Sequence, residues 1–188
     1  MIMQQILNRD LIKDKVFCRA FGVFVFAILT CLGAFIRIPL PFSPVPLTLQ
    51  TLFVIFSGLF LGPIGAVSQV FYIVLGIWGL PIFTNAGFGI SYLLGPTGGY
   101  LFGFVLTALI LGIISKTLTT NFKLLVIIIL SSLLILFCGS IWLAFLLRIS
   151  FGRALFLGML PFIPGDIVKS LLAYSIYKKI RPRIQEIF

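Results

Sequence analysis

The chain has 188 residues, of which 61% are hydrophobic and 10% charged, with a mean hydropathy of +1.24 and a net charge of +10. Soluble domains carry about 25% charged residues, so these values exclude one and predict an integral membrane protein. The positive excess does not predict a nucleic-acid partner, because the basic residues stand at the ends of apolar runs and not in a patch on a soluble face.

A helical span needs about 20 apolar residues, so a chain of this length has room for six of them in a single membrane domain over residues 1–188. Long continuous apolar runs argue for helices over the alternating segments of an outer-membrane barrel. The predicted fold class is all-α, with spans over residues 16–35, 47–61, 63–80, 95–115, 124–147 and 154–177.

The polar start, with Arg9, Asp10, Lys13, Asp14 and Lys15, suits a short amphipathic or frayed helix at the membrane surface. The first run has no A-x-A cleavage pattern followed by a polar mature region, so it reads as a span and not as a signal peptide. RIPLPFSPVP follows at residues 37–46, and its four prolines forbid a helix and favour a stiff, extended loop. The second run, about 22 Å long as a helix, is short for a bilayer. Gly62 and Pro63 separate it from the third so tightly that the two must be antiparallel neighbours. A second irregular loop, residues 81–94, carries Asn85, Gly87 and Gly89. The fourth run ends in a polar turn at residues 116–123; the fifth is almost purely aliphatic and reads as structural. Residues 154–159 suit a short helix or one half of a broken helix leading into the sixth span, and a basic tail of Lys178, Lys179, Arg181 and Arg183 follows.

With a cytoplasmic N-terminus and six spans, Arg9, Lys13, Lys15, Arg19, Lys116, Lys123 and the four tail residues lie inside, against Arg37, Arg148 and Arg153 outside. That bias follows the positive-inside rule and places both termini in the cytoplasm. It also puts the proline loop, the Asn85 loop and the entry to the last helix on one outer side. These segments read as a lid and rim over an extracellular pocket, or as plain connections.

PFIPGDIVKSLLA, residues 161–173, sets two charges in this apolar context. Asp166 and Lys169 are three apart and share a helix face. A charge at the centre of a membrane helix costs roughly 2.5–3.5 kcal/mol on insertion scales, and such residues face a cavity, a partner or a substrate. The pair therefore reads as one wall of a binding site, or alternatively as a salt bridge that locks helices together. Pro164 suits the first helical turn, which leaves free backbone N–H groups beside the charges.

Other polar residues add candidates. Gln50 offers a donor and an acceptor to an amide-like group, and Thr48 is either a helix cap or a site residue. Tyr100, beside Gly98 and Gly99, brings a ring and a hydroxyl to a place of close backbone approach, or is an interfacial anchor. Gln69 and Tyr72 suit hydrogen bonds between helices. LGPIGA at residues 61–66 and LGPTGG at residues 94–99 form a weak internal echo. There is no histidine, no C-x-x-C among Cys18, Cys31 and Cys138, no Walker A loop and no G-x-S-x-G. No metal, cofactor or ATP hydrolysis by the chain itself is expected, and it does not read as an enzyme.

The segments IRIPLPFSPVPLTLQTL (36–52), SGLFLGPIGAVSQVFYIVLGIWGLPIF (57–83), LLGPTGGYLFGF (93–104) and PFIPGDIVKSLLA together resemble BioY, the biotin-binding S components of energy-coupling factor transporters. The resemblance covers nearly the whole chain. It implies a six-helix protein of the cell membrane that captures biotin outside and works with a transmembrane coupling subunit and two ATPases. It further implies that Asp166, Lys169 and Asn85 meet the ureido ring. Gln50, Thr48 and Tyr100 are then second contributors, Gly99 allows close approach, and Arg37 near the entrance suits the carboxylate. S components dock through small residues four apart on the first helix; here the matching positions are Ala27 and Cys31, a departure from A-x-x-x-A that keeps a small residue, with ordinary internal packing as the alternative. The remaining alternatives are an S component for another small vitamin, or a membrane-embedded enzyme or structural bundle.

Overall fold

The computed structural model describes the backbone of residues 2–117 and 120–187 and the side chains of residues 15–117 and 120–181. The side chains of Arg9, Asp10, Lys13, Asp14 and Arg183, which entered the charge pattern above, lie outside the described residues. The protein is mostly helical. Its helices are α1 (Ile2–Phe35), α2 (Gln50–Leu61), α3 (Gly65–Ile77), α4 (Ile90–Leu93), α5 (Gly98–Ile114), α6 (Asn121–Leu147), α7 (Phe151–Gly158) and α8 (Ile163–Ile187). Four helical stretches, Lys15–Phe35, Gln50–Ile77, Asn121–Leu147 and Phe151–Arg181, are long and apolar enough to cross a membrane; α5 is apolar but shorter.

The proline segment is bracketed by two short strands that the sequence did not predict. β1 (Arg37–Ile38) pairs antiparallel with β2 (Leu47–Thr48), in the register Arg37 to Thr48 and Ile38 to Leu47. The prolines lack N–H donors and fall between the strands. Leu49 then donates its N–H back to the carbonyls of Gly33 and Ile36 at 3.2 and 3.0 Å, which folds the loop onto the end of α1.

The stretch from α2 to α3 is not one straight rod. Gln50 Nε2 lies 2.8 Å from the Tyr72 hydroxyl, and Gln69 Nε2 lies 3.1 Å from Ser57 Oγ. In a continuous helix Gln50 and Tyr72 would be about 33 Å apart. The chain therefore doubles back at Gly62, whose φ of 65° suits glycine, and a 3-10 turn over Gly62–Ile64 starts the return. This is the antiparallel junction expected from Gly62 and Pro63. A buried polar chain fixes the pair against α1: Thr30 Oγ1 donates to Gln69 Oε1 at 3.3 Å, and Gln69 donates to both Ser57 and Ser68.

Close helix approach depends on glycine. A Cβ on Gly65 would fall 2.3 Å from the Ser57 carbonyl oxygen, and one on Gly112 2.3 Å from Gly62 backbone. The obstacles are backbone atoms, which cannot rotate away. Gly65→Val is therefore expected to lower stability by at least about 1–3 kcal/mol, read as a lower thermal unfolding midpoint of the detergent-solubilised chain.

Candidate functional site

The three irregular segments converge on one cavity. It is lined by Val45 and Pro46 of the proline loop and Thr48, Gln50 and Thr51 just after it, by Phe83, Thr84 and Tyr92 from the Asn85 loop, and by Phe162, Asp166 and Lys169 around the start of α8; Tyr72, Thr97, Tyr100, Leu101, Phe104 and Leu136 close the sides. Its empty volume, open mouth included, is about 500 Å³.

Asp166 lies in the first turn of α8, the end of the helix dipole that favours a negative charge. Lys169, one turn on, forms an ion pair with its Oδ1, and the two side chains are only 3% and 9% exposed. Thr51 of α2 stands between them: its hydroxyl donates to Asp166 Oδ1 at 3.3 Å and accepts from Lys169 Nζ. Lys169 also donates to the Thr48 carbonyl at 3.1 Å, so its three N–H groups are all engaged. Ser132 of α6 donates to Asp166 Oδ2 at 2.9 Å. A carboxylate has about four acceptor positions, and three are filled here; among the described residues nothing else bonds to Oδ2.

Gln50 extends the polar wall. Its amide N–H donates to the Tyr72 hydroxyl, which donates in turn to the Ile82 carbonyl at 3.1 Å, while Thr48 Oγ1 donates to Gln50 Oε1 at 3.3 Å. Each amide group keeps capacity for one more bond. Tyr72 meets Phe83 edge-on, ring centroids 5.4 Å apart, and Phe83 stacks on Tyr92 at 4.8 Å. The Tyr92 hydroxyl reaches Thr84 Oγ1 at 2.6 Å. Tyr100 is seated by two glycines. A Cβ on Gly139 would fall 2.2 Å from its ring, and its hydroxyl donates to the Gly158 carbonyl at 2.7 Å. Facing polar and aromatic walls can bind a compact, flat amide-like group together with an apolar body.

Of the residues predicted from sequence, Asp166, Lys169, Gln50, Thr48 and Tyr100 line the cavity together. Asn85 is exposed, next to the lining Thr84, in a left-handed conformation with φ of 62°. Arg37 is exposed on β1 opposite Thr48. Gly99 sits apart from the cavity: a Cβ there would fall 2.2 Å from Trp142 Cβ, so the close approach it permits is that of α5 to α6. Ala27 is 3% exposed inside the chain's own core, with Cys31 half-buried against that core, which matches the internal packing named above as the alternative to docking. Sequence reasoning missed Thr51, Ser132, Phe83 and Tyr92. Thr51 follows Gln50 directly, and Ser132 belongs to a serine pair that interrupts an aliphatic run; both were visible as polar breaks.

The pattern that defines the BioY family matches residues 10–186. The chain belongs to the BioY family. It is 40% identical over 163 residues to the probable biotin transporter BioY of Pyrococcus horikoshii, covering 85% of this chain and 93% of that one. It is 32% identical over 176 residues to the biotin transporter BioY of Lactococcus lactis subsp. cremoris, covering 90% and 93%. It superposes on the crystal structure of the S-component for biotin from an ECF-type ABC transporter with a TM-score of 0.82 at 30% identity, over 88% of this chain and 92% of that chain. With its apolar helical stretches, this BioY-family chain is a multi-pass membrane protein.

The ion pair also bears on stability. Removing one partner of a buried pair leaves the other charge uncompensated, at about 3–5 kcal/mol, whereas removing both is far milder. Asp166→Asn is expected to lower the unfolding midpoint of the purified chain sharply. Adding Lys169→Met to it should recover much of the loss.

Proposed function

We propose that this chain is the biotin-capturing S component of an energy-coupling factor transporter in the plasma membrane, with six spans and both termini in the cytoplasm. The observation that carries this reading is the buried Asp166–Lys169 pair, open to a cavity whose other walls are aromatic and amide-bearing. Biotin presents two ureido N–H groups, one carbonyl, a thioether ring and a carboxylate tail. The free acceptor position on Asp166 Oδ2 suits a ureido N–H. The spare amide N–H of Gln50 suits the carbonyl, Lys169 holds the Asp166 carboxylate charged and in place beside it, and Tyr72, Phe83 and Tyr100 suit the apolar ring. Thr48 completes the polar wall. Asn85 stands beside the lining Thr84 and Arg37 opposite Thr48, so both suit the mouth, where Arg37 would meet the carboxylate. Gly99 acts indirectly, by letting α5 seat Tyr100 close to α6.

Transport calls for a transmembrane coupling subunit and two ATPases, since a member of a transporter-component family is no enzyme. The spanning window of α1 is 17% buried, the least covered of the four. Its outer face, Phe17, Phe21, Phe24 and Ile28, is what we assign to the coupling subunit, with Cys31 at its edge and Ala27 behind it. The tight reversal at Gly62 supports counting α2 and α3 as two spans.

The test is equilibrium binding of labelled biotin to the chain alone in detergent, with thiamin and riboflavin as competitors. Biotin should bind specifically, without ATP or partners. Gln50→Leu, which leaves the ureido carbonyl unpaired at about 1–3 kcal/mol, should weaken binding roughly 5- to 150-fold. Absence of binding by a folded sample, or displacement by either competitor, would refute the assignment.

A further inference from the structure

Ser132 stands outside the cavity lining, on the helix that the sequence marked as filler. Its side chain is 1% exposed. A serine inside a helix ordinarily turns its hydroxyl back to the carbonyl four residues earlier. Ser132 instead donates across the bundle to Asp166 Oδ2 at 2.9 Å. Its neighbour Ser131, 3% exposed, has a hydroxyl with no partner, so this stretch of α6 does not require its hydroxyls to be bonded. The two Asp166 oxygens are held differently. Oδ1 takes Lys169 and Thr51, both lining the cavity, while Oδ2, the oxygen with acceptor capacity to spare, takes Ser132 alone among the described residues.

We infer that Ser132 is a positioning residue for ligand selection: it fixes the plane of the Asp166 carboxylate so that the remaining lone pair of Oδ2 points into the cavity at a ligand N–H. Without it, the carboxylate can rotate toward a two-point contact with Lys169, and its free acceptor leaves the ligand. The inference rests on the biotin reading above and adds to it the residue that aims the acceptor.

Three measurements on the purified full chain in detergent test it. Ser132→Ala should weaken biotin binding roughly tenfold or more, while Ser131→Ala, the same deletion one residue away, leaves it unchanged. Binding of a biotin analogue methylated at both ureido nitrogens should be equally weak in the unaltered chain and in Ser132→Ala, so that the preference for biotin over the analogue shrinks by the same factor. A merely structural serine would weaken both ligands alike. The Ser132→Ala effect should also vanish in an Asp166→Asn background. Unchanged biotin affinity in Ser132→Ala, an unchanged preference between the two ligands, or an equal effect of Ser131→Ala each overturns the role of Ser132 while leaving the biotin reading intact. Failure of the unaltered, folded chain to bind biotin overturns the biotin reading, and this inference with it.

Discussion

The contact on which the rest depends is the Asp166–Lys169 ion pair. Both side chains are nearly sealed from solvent, and burial of a charge costs several kcal/mol unless partner charges and hydrogen bonds replace the lost water. Those replacements come from elsewhere in the chain: Thr51 and the Thr48 carbonyl on one side, Ser132 on the other. The pair therefore holds α2, α6 and α8 at fixed distances, because drift of any of the three would strand a charge. A bundle of greasy helices has little to choose between alternative registers. Here the polar contacts choose one.

The short helices α2 and α3 show the same logic. At 12 and 13 residues neither is long, yet their reversal brings Gln50 and Tyr72 together at one end and Ser57 and Gln69 in the middle. The middle contacts reach α1 through Thr30 and are wholly buried. The end contacts form the polar wall of the cavity. One reversal thus supplies both a packed interior and an open site, and it depends on glycines at the positions where backbone meets backbone.

Much of this was legible in the sequence because it followed from chemistry that acts locally. Asp166 and Lys169 share a helix face by spacing alone, the prolines of residues 37–46 forbid a helix, and Gly62 with Pro63 demands a sharp turn. What escaped was long-range. Thr51 lies 115 positions from Asp166, and Ser132 lies 34 away; no periodicity links them. The strand pair around the prolines spans two residues a side, too short for a pattern. Ala27 and Gly99 were legible as small, but which neighbour each would face was not, since small residues suit a partner helix and a neighbouring helix equally well. The direction a helix face points is set by the whole bundle.

The same network bears on how a captured ligand is let go. Lys169 has no free donor, and Asp166 has a single acceptor position to offer, so a ligand entering the cavity completes a framework that is already nearly satisfied. Little of its binding energy goes into ordering side chains, which favours tight capture by the chain alone. Release then requires the framework itself to yield. Its members sit on three helices, and a hydrogen bond weakens steeply once geometry departs from about 3 Å and near-linearity. A displacement of α2, α6 or α8 by an ångström or so would break several contacts together. Lever-like motion of whole helices, driven from a surface outside the cavity, therefore suits this site better than local rearrangement of its side chains.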